Sequence, residues 1–144
     1  MEWAALIAWV ITAGGGFVLL SIWLRNGGPA AASRPGSRIR PPLIFSHMAL
    51  AATGLVLWII YVASDTEALA WAAVIVLAPV AILGFSMLAI WIQRRQAAPA
   101  ATVPASDDTP PEQHFPVPLV AGHGLLAVTT LTLAILAAAG VGGS

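Results

Sequence analysis

Two histidines, His47 and His123, stand deep inside apolar stretches of this 144-residue chain. Ionisable groups in a membrane interior are costly, and those found there generally serve a site. An imidazole in such a place can ligate a metal or a haem iron, or bond between helices. These two occupy matching places in one pattern. From Pro42 the chain reads PLIFSHMALAATGLVL, and from Pro118 it reads PLVAGHGLLAVTTLTL. Eight of the sixteen positions are identical, among them the proline, the histidine and a threonine six residues after it. A matched pair points to one site assembled from two halves.

Each histidine lies five residues after its proline, so about 7–8 Å along a helix from it. Both are expected at similar depth, facing each other. Their surroundings are small. Gly122 and Gly124 flank His123, and Ser46 precedes His47. Along one helix face His47 is followed by Ala51 and Gly54, and His123 by Ala127 and Thr130. Such stripes predict a flat slot beside each imidazole, the space a planar macrocycle needs. The chemistry this implies is bis-histidine ligation of a b-type haem, with His47 and His123 as the metal ligands. Gly122 and Gly124 then give cofactor space. Arg38 and Arg40, just outside the apolar stretch, are placed to pair with haem propionates. The arginines also have a plainer explanation, in the topology signal described below. The histidines have one too, as interhelical hydrogen-bonding groups of a packed bundle. Thr53 and Thr129 are expected to bond back to the carbonyl four residues earlier.

The elements that carry these residues are read from hydropathy. The chain is 59% hydrophobic and 8% charged, against about 25% charge in a typical soluble domain. Apolar runs at about 3–24, 43–63, 68–92 and 117–139 each approach or exceed the ~20 residues that span a bilayer as a helix. The first run has no basic leader segment or clear cleavage site and is expected to remain as a helix. The expected fold is therefore all-α, an integral membrane four-helix bundle.

The odd spans repeat as well. GFVLLSIWLR from Gly16 matches GFSMLAIWIQ from Gly84 at five of ten positions. The bundle thus reads as a single membrane domain of two parallel two-helix repeats, 1–66 and 67–144, related by a pseudo-twofold axis along the membrane normal.

Arginines set the orientation. Arg25, Arg34, Arg38 and Arg40 fall between the first two spans, and Arg94 and Arg95 follow the third. The positive-inside rule places these loops in the cytoplasm and both termini outside, in the plasma membrane. Trp23 and Trp91 read as inner-boundary aromatics, and Trp3 and Trp71 as outer ones. The arginine-bearing loops, rich in Pro, Ala and Ser, read as irregular.

The chain has no cysteine, excluding thiolate ligands and disulfides. Zero net charge gives a nucleic-acid partner no support. No Asp, Glu, Lys or Arg lies within a span, which argues against a pump built on buried carboxylates. No phosphate-binding loop, HExxH or nucleophile-elbow motif is present. Nothing therefore favours an enzyme, although Ser46 adjoins His47. A metal site adding His114, with Asp107, Asp108 and Glu112 nearby, matches no ligand spacing; His114 is expected to be solvated.

The layout is similar in general terms to small b-type membrane cytochromes, which also place ligand histidines on facing helices. That resemblance implies electron transfer and extends to no further residue. The competing expectation is a non-catalytic accessory or scaffold subunit, bound to other membrane subunits as well as to lipid. A small transporter hinging at Pro79 and Gly14–Gly16 is a third.

Overall fold

The computed structural model describes residues 1–31, 38–97 and 110–141; Arg34, Asp107 and Asp108 lie outside them. Five helices and one 3-10 turn follow in order: α1 (Glu2–Arg25), the single-turn α2 (Gly28–Ala31), α3 (Pro41–Ser64), α4 (Glu67–Ala97), the 3-10 turn (Pro111–His114) and α5 (Val117–Ala138). No strand occurs among the described residues. The protein is an all-α four-helix bundle. Its four long helices are each long and apolar enough to cross a membrane, as expected of a multi-pass membrane protein.

Sequence chemistry explains the helix ends. Proline opens α3 and stands in the first turn of α5, where its missing N–H would have no intrahelical partner anyway. Asp65 ends α3 in the left-handed conformation, φ 52°, and its N–H bonds Tyr61 O at 2.8 Å. Only Asp65 and Thr66 then separate α3 from α4, so the two helices form a tight antiparallel hairpin. Helix α4 extends past the apolar run, because Gln93, Arg94, Arg95 and Gln96 are good helix formers. The two arginines also complement the negative end of its dipole. Pro79 lies inside α4, and the helix continues through it.

The four long helices run up, down, up and down. Helix α1 packs on α3 and α5, and α4 packs on the same two, so α3 and α5 lie diagonally across the bundle. One end carries both chain termini; the other carries the arginines.

The close-packed core sits toward the termini end. Ala5, Ala70, Ala73, Ala134 and Ala138 bring the helices together, and Trp9, Trp58, Leu77 and Val80 fill the space between them. Trp9 and Trp58 meet with ring centres 6.2 Å apart. The Trp58 indole N–H donates to Glu2 O at 3.2 Å. Trp3, Ile7, Phe17, Ile75, Ile82 and Leu125 point outward, as a lipid-facing surface requires.

Toward the arginine end the packing changes. No residue is buried over 13–22 of α1, 41–53 of α3, 81–90 of α4 or 117–129 of α5. Burial resumes at Trp23, Gly28, Ile39, Trp91, Pro111 and Glu112. The 3-10 turn packs on α1 and α4, so part of the segment read as irregular is ordered. Glu112 is fully buried there, and its Oε1 accepts a hydrogen bond from the Arg38 backbone N–H at 3.2 Å.

Candidate cofactor site: a histidine pair across the bundle

Helices α3 and α5 bring His47 and His123 to face each other, ring centres 6.5 Å apart and planes inclined at 66°. Both rings are half-buried. Each is held by the helix beside its own. His47 Nδ1 is 3.0 Å from the carbonyl oxygen of Val80 in α4. His123 Nδ1 is 3.0 Å from the carbonyl oxygen of Thr12 in α1.

A carbonyl only accepts, so in each bond Nδ1 carries the proton and donates. In the neutral imidazole that leaves the Nε2 lone pair available. Neither Nε2 has a hydrogen-bond partner among the described residues. A second group fixing Nδ1–H while Nε2 stays free is the arrangement that orients ligating histidines.

Glycines make the reach possible. Gly84 follows Val80 by one helical turn, and Gly16 follows Thr12 likewise. A Cβ at Gly84 would stand 3.2 Å from His47 Cε1, and one at Gly16 would stand 3.2 Å from His123 Cε1. Gly15 also lies against His123, its would-be Cβ 3.5 Å from Nδ1. A side chain at 16 or 84 would require the imidazole to give by a few tenths of an ångström. The partners recur at the offsets of the sequence repeat: Thr12 and Val80 are 68 apart, as are Gly16 and Gly84, while the histidines are 76 apart.

The small stripes beyond the histidines are occupied by protein. Against Gly54 lies the Trp9 ring, 3.0 Å from a would-be Cβ. Thr130 is buried and shares a 3.1 Å hydrogen bond with Thr12. The slot expected along these stripes is therefore filled on the termini side of the histidines. A Cβ at Gly122 or Gly124 would meet nothing within 4 Å. Arg38 and Arg40, both exposed, line an open cleft of about 410 Å³ with Pro42, Leu43, Ser46 and Leu83. As expected, Thr53 and Thr129 bond back to Ala49 and Leu125.

Two sequence expectations change. His114 is not simply solvated: its Nδ1 is buried. It joins no metal cluster, for no group of three His, Asp or Glu with metal-binding geometry exists among the described residues. Trp23 and Trp91 do not face lipid at a boundary; they are 0% and 7% exposed and point inward. The glycine and carbonyl partners of the histidines went unassigned, though the repeated Gly-Phe start of GFVLLSIW and GFSMLAIW was their visible trace.

No protein-family model matches this chain, and no curated protein or solved structure matches it significantly. Fold and site define a bundle of four helices, each long and apolar enough to cross a membrane, in which a histidine pair meets across the bundle.

Proposed function

We propose that this protein binds one b-type haem between α3 and α5, with His47 and His123 as axial ligands, and that it carries electrons in the plasma membrane. In this reading both termini lie outside and the arginine-bearing loops are cytoplasmic. The carrying observation is the pair of Nδ1–carbonyl bonds, which leave two Nε2 lone pairs on facing helices.

The residues fit such a group in three respects. Metal–imidazole bonds near 2.0–2.1 Å put the centres of two opposed ligating rings roughly 6–7 Å apart, and these stand 6.5 Å apart. Gly84 keeps bulk away from the His47 imidazole, and Gly15 and Gly16 keep it away from that of His123. An open cleft lined by Arg38, Arg40 and Ser46 lies toward the arginine end.

A haem in this setting supplies one-electron exchange. The chain's own work is different. Val80 and Thr12 carbonyls hold each ring in orientation and raise the basicity of its Nε2. The Trp9–Trp58 core closes the termini side to water. Arg38 and Arg40 supply positive charge at the rim, which favours carboxylates there.

An oxidised-minus-reduced visible spectrum of the detergent-purified protein, made with ample haem supply, tests this. Sharp α and β bands are expected in wild type and lost in both His47→Ala and His123→Ala. A colourless, well-folded wild type overturns the reading.

A second reading draws on the same bonds. Each histidine ties α3 to α4 or α5 to α1, which serves a non-catalytic accessory or scaffold subunit of a larger membrane complex equally well. It expects no chromophore, and a lower unfolding temperature in each histidine variant.

A further inference from the structure

Arg38 and Arg40 flank Ile39, which is only 2% exposed. The Arg38 backbone N–H donates to Glu112 Oε1 at 3.2 Å. The segment is therefore anchored twice, by a buried side chain and by a backbone bond, while both arginines stay exposed. A topology signal needs charge only somewhere in the loop; it does not need two arginines fixed over one cleft. Neither guanidinium has an ion pair or hydrogen bond among the described residues.

The open cleft they line, about 410 Å³, is completed by Pro42, Leu43 and Ser46 of α3 and Leu83 of α4. Neither histidine lines it. Ser46 is its unusual member. Ser21, Thr53, Ser86, Thr129 and Thr132, exposed hydroxyls elsewhere inside the long helices, each donate to the carbonyl four residues earlier. Ser46 is exposed too, and it has no hydrogen bond among the described residues. A hydroxyl left unpaired in an apolar medium is unfavourable. Ser46 lies one turn past Pro42 on the face of α3 that lines the cleft, about 6 Å further along the helix. Charge at the mouth, a hydroxyl one turn deeper and leucines beside it follow the order of a phospholipid: phosphate, glycerol ester, acyl chain.

We propose that this cleft binds one anionic phospholipid, such as phosphatidylglycerol, with Arg38 and Arg40 on the phosphate and the Ser46 hydroxyl donating to a glycerol ester carbonyl. A guanidinium can meet a phosphate with two parallel N–H bonds, and basic pockets between membrane helices bind anionic headgroups. Leu43 and Leu83 give the first acyl methylenes an apolar wall, which a free phosphate would not use, so the occupant is a lipid. The inference rests on the four long helices crossing a bilayer. It goes beyond the haem reading and does not depend on it.

The test supplies the full-length protein, purified in detergent, with phosphatidylglycerol or with phosphatidylcholine of the same acyl chains, and measures retained lipid by native mass spectrometry. Wild type is expected to retain phosphatidylglycerol about tenfold better or more. Arg38→Gln and Arg40→Gln should each lower that preference roughly fivefold, the worth of one arginine beside an anionic lipid. Arg25→Gln, at the same end but outside the cleft, should leave it unchanged. Ser46→Ala should weaken retention of both ester lipids several-fold and leave that of ether-linked phosphatidylglycerol as it was. All four side chains are exposed, so the variants should keep their fold, which circular dichroism checks. Equal retention of the two lipids by wild type, a preference that survives the loss of both Arg38 and Arg40, or a Ser46→Ala effect equal for ester and ether lipids overturns the proposal. So does release of the lipid by inorganic phosphate, which would make this a free-phosphate site. Wild type that stays in solution without detergent removes the membrane reading, and this proposal with it.

Discussion

Toward the termini end, five alanines draw the helices together and Trp9 and Trp58 fill what remains. Toward the arginine end, the same four helices carry the glycines and the histidine pair, and bury nothing further until Trp23 and Trp91. The difference teaches how a bundle whose helices are apolar enough to cross a membrane divides its labour. Lipid tails are as apolar as leucine, so helix association must come from packing and hydrogen bonds. The packed half supplies that association. The half that supplies little of it is where both ionisable rings sit, with the Trp23 and Trp91 indole N–H groups that meet no acceptor among the described residues.

Breaking the packed half should have the largest effect. Trp58→Ala removes a fully buried ring and its bond to Glu2. It should cost about 3 kcal/mol. That is the low end for a buried aromatic, because a lipid-immersed reference loses dispersion contacts more than hydrophobic transfer. Denaturant unfolding in detergent checks this, and a loss below about 1 kcal/mol would contradict it.

A pair of glycine substitutions sharpens the contrast. At Gly54 a Cβ would already crowd Trp9 at 3.0 Å, so Gly54→Leu should destabilise by roughly 1–3 kcal/mol through overpacking. At Gly122 nothing stands within 4 Å, so Gly122→Ala should change stability by less than about 0.5 kcal/mol. Melting curves of the two variants side by side decide the matter; equal shifts would erase the distinction between the halves.

A small effect is also expected where the halves meet. Thr12→Val removes the hydroxyl bond to Thr130 but keeps the Thr12 carbonyl that holds His123. It should cost about 0.6 kcal/mol, the mean for such bonds in membranes, and leave any haem spectrum in place. A lost spectrum would show that the hydroxyl, not the backbone, positions the ring.

Much of this was legible in the chain. The four spans follow from hydropathy, since a bilayer demands length and apolarity of any helix crossing it. The meeting of His47 and His123 follows from their matched place in a repeat. What could not be read depends on helix rotation. Tryptophan is common at membrane boundaries whichever way it faces, so nothing in IWLR or IWIQ tells that Trp23 and Trp91 turn inward. Glu112 sits in a proline-rich segment whose composition reads as solvent-exposed. Its burial depends on a contact with the Arg38 backbone, 74 residues away.

The two histidine holdings are alike in geometry but unlike in the span of chain they close. His47 and Val80 are 33 residues apart, on helices joined by only Asp65 and Thr66. His123 and Thr12 are 111 residues apart, on α5 and α1. Local contacts form faster than those that must first close a long loop. The α3–α4 hairpin can therefore present His47 in its final pose early in synthesis, while α1 waits for α5. The pair is completed only by the closing of the ring of helices, so its presence reports that all four long helices have assembled.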